Sequence, residues 1–317
     1  MSRLLFCSSQ HREGEFVKKF ALILIVLTLL IFGGGYAYLR YFIVGPFHEQ
    51  AVNGELPGVS DLTVHNDIGL LRVVASKQGA IQYQATKFIR ISPAQSVTSA
   101  LDSIKLTKSQ TDSAAVIDIE YKNFRANLRK TDIEMDVPVD TNLKLNSQSA
   151  NIWVEGVAGS IDIQSETPPN ITATENSGAL SIKTRESKTH IYIPATGAST
   201  VVQQDSGLLR VVVAGDKSVN LAVRMLSGKL TLILDPLAKP TIKVVTDGTI
   251  FDTTGSDANS PTPGQGKAIF WGDAEEQPDI TLLLGNADLT IGFGNPVALR
   301  ARSGTTPPSE EETSSQP

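Results

Sequence analysis

The chain has 317 residues, a formal net charge of −5 and one cysteine, Cys7. Its 28 basic residues are scattered, which leaves no electrostatic footprint for nucleic acid, and a lone cysteine allows no internal disulfide. At this length, with 41% hydrophobic residues, the chain is expected to fold on packing alone, with no cofactor and no structural metal.

Residues 1–19 are too few to fold and read as a cytoplasmic tail. From Phe20 to Leu39 runs FALILIVLTLLIFGGGYAYL, without a charge and diluted only by Thr28 and its glycines. About twenty such residues, rising 1.5 Å each, cross a hydrocarbon core of roughly 30 Å, so a single transmembrane helix is expected within residues 20–44. Arg3, Arg12, Lys18 and Lys19 precede the run, whereas only Arg40 follows it before Arg72. This asymmetry places the N-terminus in the cytoplasm and exports the rest, and Tyr36, Tyr38, Tyr41 and Phe42 suit the far headgroup layer. A cleaved signal peptide is the competing account, but the apolar core is long for one and GGGYAYLRYF offers no small-x-small site. Cys7 then faces a reducing compartment and reads as an inert thiol. Gly33, Gly34 and Gly35 belong to the membrane segment, as tolerated flexibility or as a site of close helix approach.

Residues 45–60, GPFHEQAVNGELPGVS, show little periodicity and read as a juxtamembrane linker, leaving 61–298 as one exported domain. Strands are expected around Ile81, Tyr83 and Ala85, around Ala115, Ile117 and Ile119, and around Ile133, Met135 and Val137, with a short helix near SVTSALDSI. Beyond Leu143 the alternation becomes regular: Leu143 and Leu145, Ile152 and Val154, Ile161 and Ile163, Ile171 and Ala173, Leu180 and Ile182, Ile191 and Ile193. It continues through Val211, Val223, Leu232, Val244, Leu282 and Ile291. A period of two means short half-buried strands, so the fold class is all-β.

A recurring turn separates the strands: Ser149-Ala150-Asn151-Ile152, Ser177-Gly178-Ala179-Leu180, Ser206-Gly207-Leu208-Leu209, Ser227-Gly228-Lys229-Leu230 and Asn286-Ala287-Asp288-Leu289. Asn66-Asp67-Ile68-Gly69-Leu70 looks like a degenerate earlier copy. A repeated turn-plus-strand unit favours a β-solenoid or β-roll, in which each coil buries the next, over the alternative β-sandwich.

On these residues the chain resembles the bacterial putative-adhesin family, whose pattern is a strand ending in Val-Pro followed by repeated Ser-Gly-x-aliphatic turns. Here the pattern stands as Met135-Asp136-Val137-Pro138, then LKLNSQSANIWVEGVAGSIDIQSE, SGALSIKT, SGLLRVVV and SGKLTLIL, within residues 60 to 295. The resemblance implies an adhesin-like β-solenoid at the cell envelope and carries over no catalytic residues. Residues 252–267, DTTGSDANSPTPGQGK, read as an insertion rich in turn formers, and 299–317 as a disordered tail.

Chemistry is sparse. His11, His48, His65 and His190 lie far apart with no metal-ligand spacing, and His190 reads as a solvated strand residue. Asp132, Glu134 and Asp136 alternate on one face of a strand, with Asp118 and Glu120 on the strand before. They are weak candidates for a calcium site or a glycosidase pair, against a solvated face balanced by Lys122, Arg125, Arg129 and Lys130. Asp247, Asp252 and Asp257 lack the spacing of a calcium loop. Trp153 alternates with Ile152 and Val154 and should point outward, and Trp271 stands beside the insertion, so both are candidate binding residues, for a sugar or a protein. The expected function is a membrane-anchored, non-enzymatic surface module, with the lipid bilayer as one partner and a cell-surface polysaccharide or envelope protein as another. The alternatives are an envelope sensor working through a membrane partner and a carbohydrate-active β-helix enzyme.

Overall fold

The computed structural model describes residues 22–35, 46–91, 95–122, 128–194, 199–215, 219–237, 240–252, 268–271 and 279–294. The expected tail 1–19 with Cys7, the insertion beyond 252 and the tail 299–317 lie outside the described residues. In chain order the strands are β1 Phe47–Pro57, β2 Asp61–His65, β3 Leu70–Ser76, β4 Ala80–Arg90, β5 Ile104–Gln110, β6 Ala114–Tyr121, β7 Leu128–Pro138, β8 Asn142–Ser147 and β9 Asn151–Glu155. They continue with β10 Ile161–Ser165, β11 Asn170–Thr174, β12 Leu180–Ile193, β13 Thr200–Val213, β14 Leu221–Leu234, β15 Ile242–Thr246, β16 Ile250–Asp252, β17 Ala268–Trp271 and β18 Ile280–Phe293. All belong to one hydrogen-bonded sheet, and the fold is all-β apart from two short helices, α1 (residues 22–35) and α2 (Val97–Asp102).

The described residues fall into two compact units, one within the bounds 1–49, 88–103 and 123–129, the other within 50–87, 104–122 and 130–317. In the smaller, α2 is capped by Ser96, whose side chain accepts the Ser99 amide at 3.4 Å, and the Ser103 hydroxyl donates to the Ala100 carbonyl at 2.6 Å. Phe47 and Phe88 meet with ring centroids 5.4 Å apart, and the Arg90 guanidinium lies 5.8 Å from the Phe47 centroid. Every large apolar side chain of α1 from Leu22 to Phe32 is exposed, Leu22 at 64% and Phe32 at 74%. Among the described residues no helix is long and apolar enough to cross a membrane, because α1 as described stops at residue 35. Residues 36–44 of the expected anchor lie outside the described residues.

The larger unit is built from two parallel ladders. In the first, β6, β2, β8, β10, the leading halves of β12, β13, β14 and β18, and then β15 pair side by side. The second runs through β7, β3, β9, β11, the trailing halves of the same long strands, and β16. Register puts like on like: Val64, Leu145, Ile163, Ile182, Val202, Val223, Leu282 and Val244 form one buried row of the first ladder. Val73, Val154, Ala173, Ile191, Val211, Leu232 and Ile291 form the matching row of the second. Each fully buried aliphatic contributes roughly 1.5–3 kcal/mol gross, so the core needs no cross-link.

Three expectations change. The segment expected as a linker is largely strand β1, whose period is hidden because its inward series Val52, Gly54, Leu56 is broken by a glycine. A Cβ at Gly54 would collide with the Tyr83 ring, which fills the space a side chain would take. The Ser-Gly motifs are not one turn. Ser206-Gly207 and Ser227-Gly228 lie inside unbroken 14-residue strands, at the corner where each passes from the first ladder to the second, and Gly207 and Gly228 have φ of 114° and 111°. Ser177-Gly178 instead precedes β12, at the return from second ladder to first. A true break occurs between β10 and β11, where Pro168 and Pro169 supply no N–H to the ladder. Finally, the stacking order is not the chain order, because β2 and β3 insert between β6–β7 and β8–β9, and β18 inserts between β14 and β15–β16. Antiparallel strands cover two borders of the first ladder, β5 on β6 and β17 on β15.

Candidate functional site

Because side chains alternate along each strand, the residues between the buried rows project outward in rows of their own. On the first ladder His65, Asn146, Gln164, Lys183, Gln203 and Arg224 stand in register on successive strands. Beside this row, toward the corner, lies a groove of about 550 Å³ lined by Gln164, Glu166, Lys183, Arg185, Gln203, Asp205, Arg224 and Leu226, with Ser147, Ser165, Thr184 and Gln204 beneath. That volume is within the range of small-molecule sites, about 300–1,000 Å³.

The floor is rigid. Gln204 is 1% exposed, its Nε2 donates to the carbonyls of Ser187 (3.0 Å) and Ser206 (2.8 Å), and its Oε1 accepts the Ser187 hydroxyl at 3.2 Å. On the rim Arg185 pairs with Glu166 at 3.4 Å, and Gln164 donates to Asp162 at 2.8 Å. Lys183 and Arg224 have no ion-pair partner among the described residues. This row is not evident from the sequence read residue by residue. Its members each follow the second aliphatic of their ladder strand (Ile163, Ile182, Val202, Val223), a signal visible only once the repeats are aligned.

On the second ladder the outward row is Glu134, Arg72, Trp153, Thr172, His190 and Arg210. Trp153 does project outward, but it is half-buried, and its indole N–H donates to Glu155 at 3.1 Å. His190 projects outward but is half-buried rather than fully solvated. Burial, and then the nearby Arg210 charge, hold its pKa below the usual 6.5. A second groove, of about 610 Å³, is lined by Glu55, Arg72, Gln82, Tyr83, Gln84, Glu134 and Asp136 among others.

The two acidic strands do not share a surface. Strand β6 pairs with β2, which sets Asp118 opposite His65, and Glu120 faces Lys105 of β5, whereas β7 pairs with β3. The tertiary pairing therefore separates Asp118 and Glu120 from Asp132, Glu134 and Asp136. Asp132 is a structural acceptor: its carboxylate takes the Leu70 amide at 2.9 Å and the Lys130 ammonium at 3.3 Å. Glu134 reaches Arg72 at 3.7 Å in an exposed pair worth at most about 1 kcal/mol. Among the described residues no group of three or more His, Cys, Asp or Glu is placed to hold a metal ion. Asp247 is exposed at the β15–β16 corner, whereas Asp257 and the side chains of Asp252 and Trp271 lie outside the described residues. Trp271 is located only by its backbone, opposite Ile242.

No family model matches the chain, and no curated protein matches it. Among solved structures it is similar to a putative cell adhesion protein from Clostridium sporogenes ATCC 15579, at 10% identity and TM-score 0.32, over 78% of this chain and 100% of that one. A putative adhesin from Bacteroides fragilis NCTC 9343 gives 11% identity and TM-score 0.32, over 78% of this chain and 97% of that one. A putative lipid binding protein from Parabacteroides distasonis ATCC 8503 gives 10% and 0.29, over 77% and 96%. Scores this low place no residue and no function on this chain.

Proposed function

We propose that the protein is a membrane-tethered β-solenoid, exported from the cytoplasm, that works at the cell envelope as a non-enzymatic binding or scaffold module. The observation that carries this reading is the pair of in-register parallel ladders, which lays polar side chains in straight outward rows over a rigid aliphatic core. Surfaces of this kind bind extended partners through many modest contacts rather than one reactive centre. The tether is supported by α1, whose uniformly exposed leucines and isoleucines gain free energy on transfer to lipid, and by the basic residues that precede it. Protease shaving of intact cells that express the chain with a tag at each end tests the arrangement. The reading expects loss of the C-terminal tag and protection of the N-terminal one, and protection of both would refute it.

A further inference from the structure

We propose that the groove on the first ladder binds a linear acidic glycan laid across the strands, with Lys183 and Arg224 each meeting a carboxylate of the polymer. This rests on reading the exported part as a binding module and names its ligand class. The row Gln164, Lys183, Gln203, Arg224 runs over β10, β12, β13 and β14 in register. Neighbouring strands are about 4.8 Å apart, so the backbone positions that carry the two cations stand about 10 Å apart, with an amide between them and another beyond. The ladder fixes this spacing. A polymer whose anionic groups recur at that interval would meet each contact without reordering the protein, which lowers the entropic cost of association.

The chemistry of the row selects the ligand. Glutamine both donates and accepts, which suits hydroxyl groups, whereas Lys183 and Arg224 only donate and have no acidic partner among the described residues. Arg185 is already held by Glu166, which leaves Lys183, Arg224 and the Asp205 carboxylate as the unpaired charges of the groove among the described residues, with the cations in excess. They stand out in a chain whose formal net charge is −5. Leu226, 51% exposed at the groove's end, offers an apolar surface for the C–H face of a sugar ring. The lining contains no aromatic side chain on which a nucleobase could stack, so the row does not have the chemistry of a single-stranded nucleic-acid channel.

Calorimetry on the full chain in zwitterionic nanodiscs tests this, with a linear polyuronate oligomer as probe and a neutral oligomer of the same linkage and length as control. The polyuronate should bind, more weakly as salt rises, and the neutral oligomer should not. In a Lys183→Gln/Arg224→Gln double variant the affinity should fall about tenfold or more, whereas Lys183→Arg, which keeps the charge, and Arg210→Gln, on the other ladder, should bind as the parent does. Both groove positions face solvent, so the double variant is expected to keep the parent's thermal melt. Equal binding of the neutral oligomer, no binding by the parent, or an unchanged affinity in the double variant would overturn the proposal. The shaving experiment reads the tether independently, so a correct topology with no polyuronate binding removes the ligand and leaves the module.

Discussion

Replacing Asn66 with alanine tests whether a buried polar network holds the first corner of the larger unit. Asn66 is fully buried: its Nδ2 donates to the Thr131 carbonyl at 2.8 Å and to the Leu70 carbonyl at 3.4 Å, and its Oδ1 accepts the Tyr121 hydroxyl at 3.1 Å. Alanine removes all three contacts at once. Thr131 is itself 0% exposed, so the loss of a donor at its carbonyl costs about 1–3 kcal/mol. The Tyr121 hydroxyl keeps its bond to the Ile68 carbonyl at 2.9 Å, so its share adds about 1 kcal/mol. The expected total is about 2–4 kcal/mol, read as a lower urea midpoint at unchanged slope, with exposed Lys229→Ala as a control that moves by less than about 0.5 kcal/mol. If Asn66→Ala moved the midpoint no more than the control, the network would be ornamental and the reasoning wrong.

The same corner should be sensitive to alkali. Burial pushes the Tyr121 hydroxyl from 10.0 up to about 12, so between those values the folded state retains a proton that the unfolded chain has lost. Stability should hold below pH 10 and fall by about 2 kcal/mol as pH rises towards 12, and Tyr121→Phe should flatten that part of the curve relative to the parent. His190 works in the opposite direction. Its folded pKa lies below 6.5, so stability is complete above that pH and declines as pH falls below it, a slope that His190→Gln should remove. Gly228→Val places a β-branched residue at φ 111° with its Cβ against the Gly207 carbonyl, and should cost at least about 2 kcal/mol in the same urea assay. A Gly228→Val midpoint equal to the parent's would show that this corner relaxes freely.

Much of the secondary structure was legible because burial on one face of a strand imposes a period of two. Ile161 and Ile163, or Leu180 and Ile182, announce themselves without knowledge of their neighbours. Strand β1 escaped because Gly54 at the centre of its inward series contributes no apolar side chain, and the bulk there comes from Tyr83, about thirty residues away in the chain. The acidic stripe misled for a related reason. Alternation correctly put Asp132, Glu134 and Asp136 on one face, but it carries no information about which strand lies alongside. Asp118 and Glu120 therefore looked close in the chain and proved to be paired elsewhere. The row from Gln164 to Arg224 had the opposite fate, being unremarkable residue by residue and evident only when four strands are laid in register.

What the sequence alone determined was therefore local: the apolar helix near the N-terminus, the positions of most strands, and which side of each strand is buried, since hydrophobic burial acts on each short segment through its own pattern. What only the tertiary structure decided was adjacency. The insertion of β2–β3 and of β18 between strands distant in the chain, the division of each long strand between two ladders, and the alignment of Lys183 with Arg224 all depend on hydrogen bonds between backbones, which look alike whatever side chains they carry. Partner choice is thus set by how whole faces of aliphatic side chains pack together, a property of the assembled core rather than of any one segment.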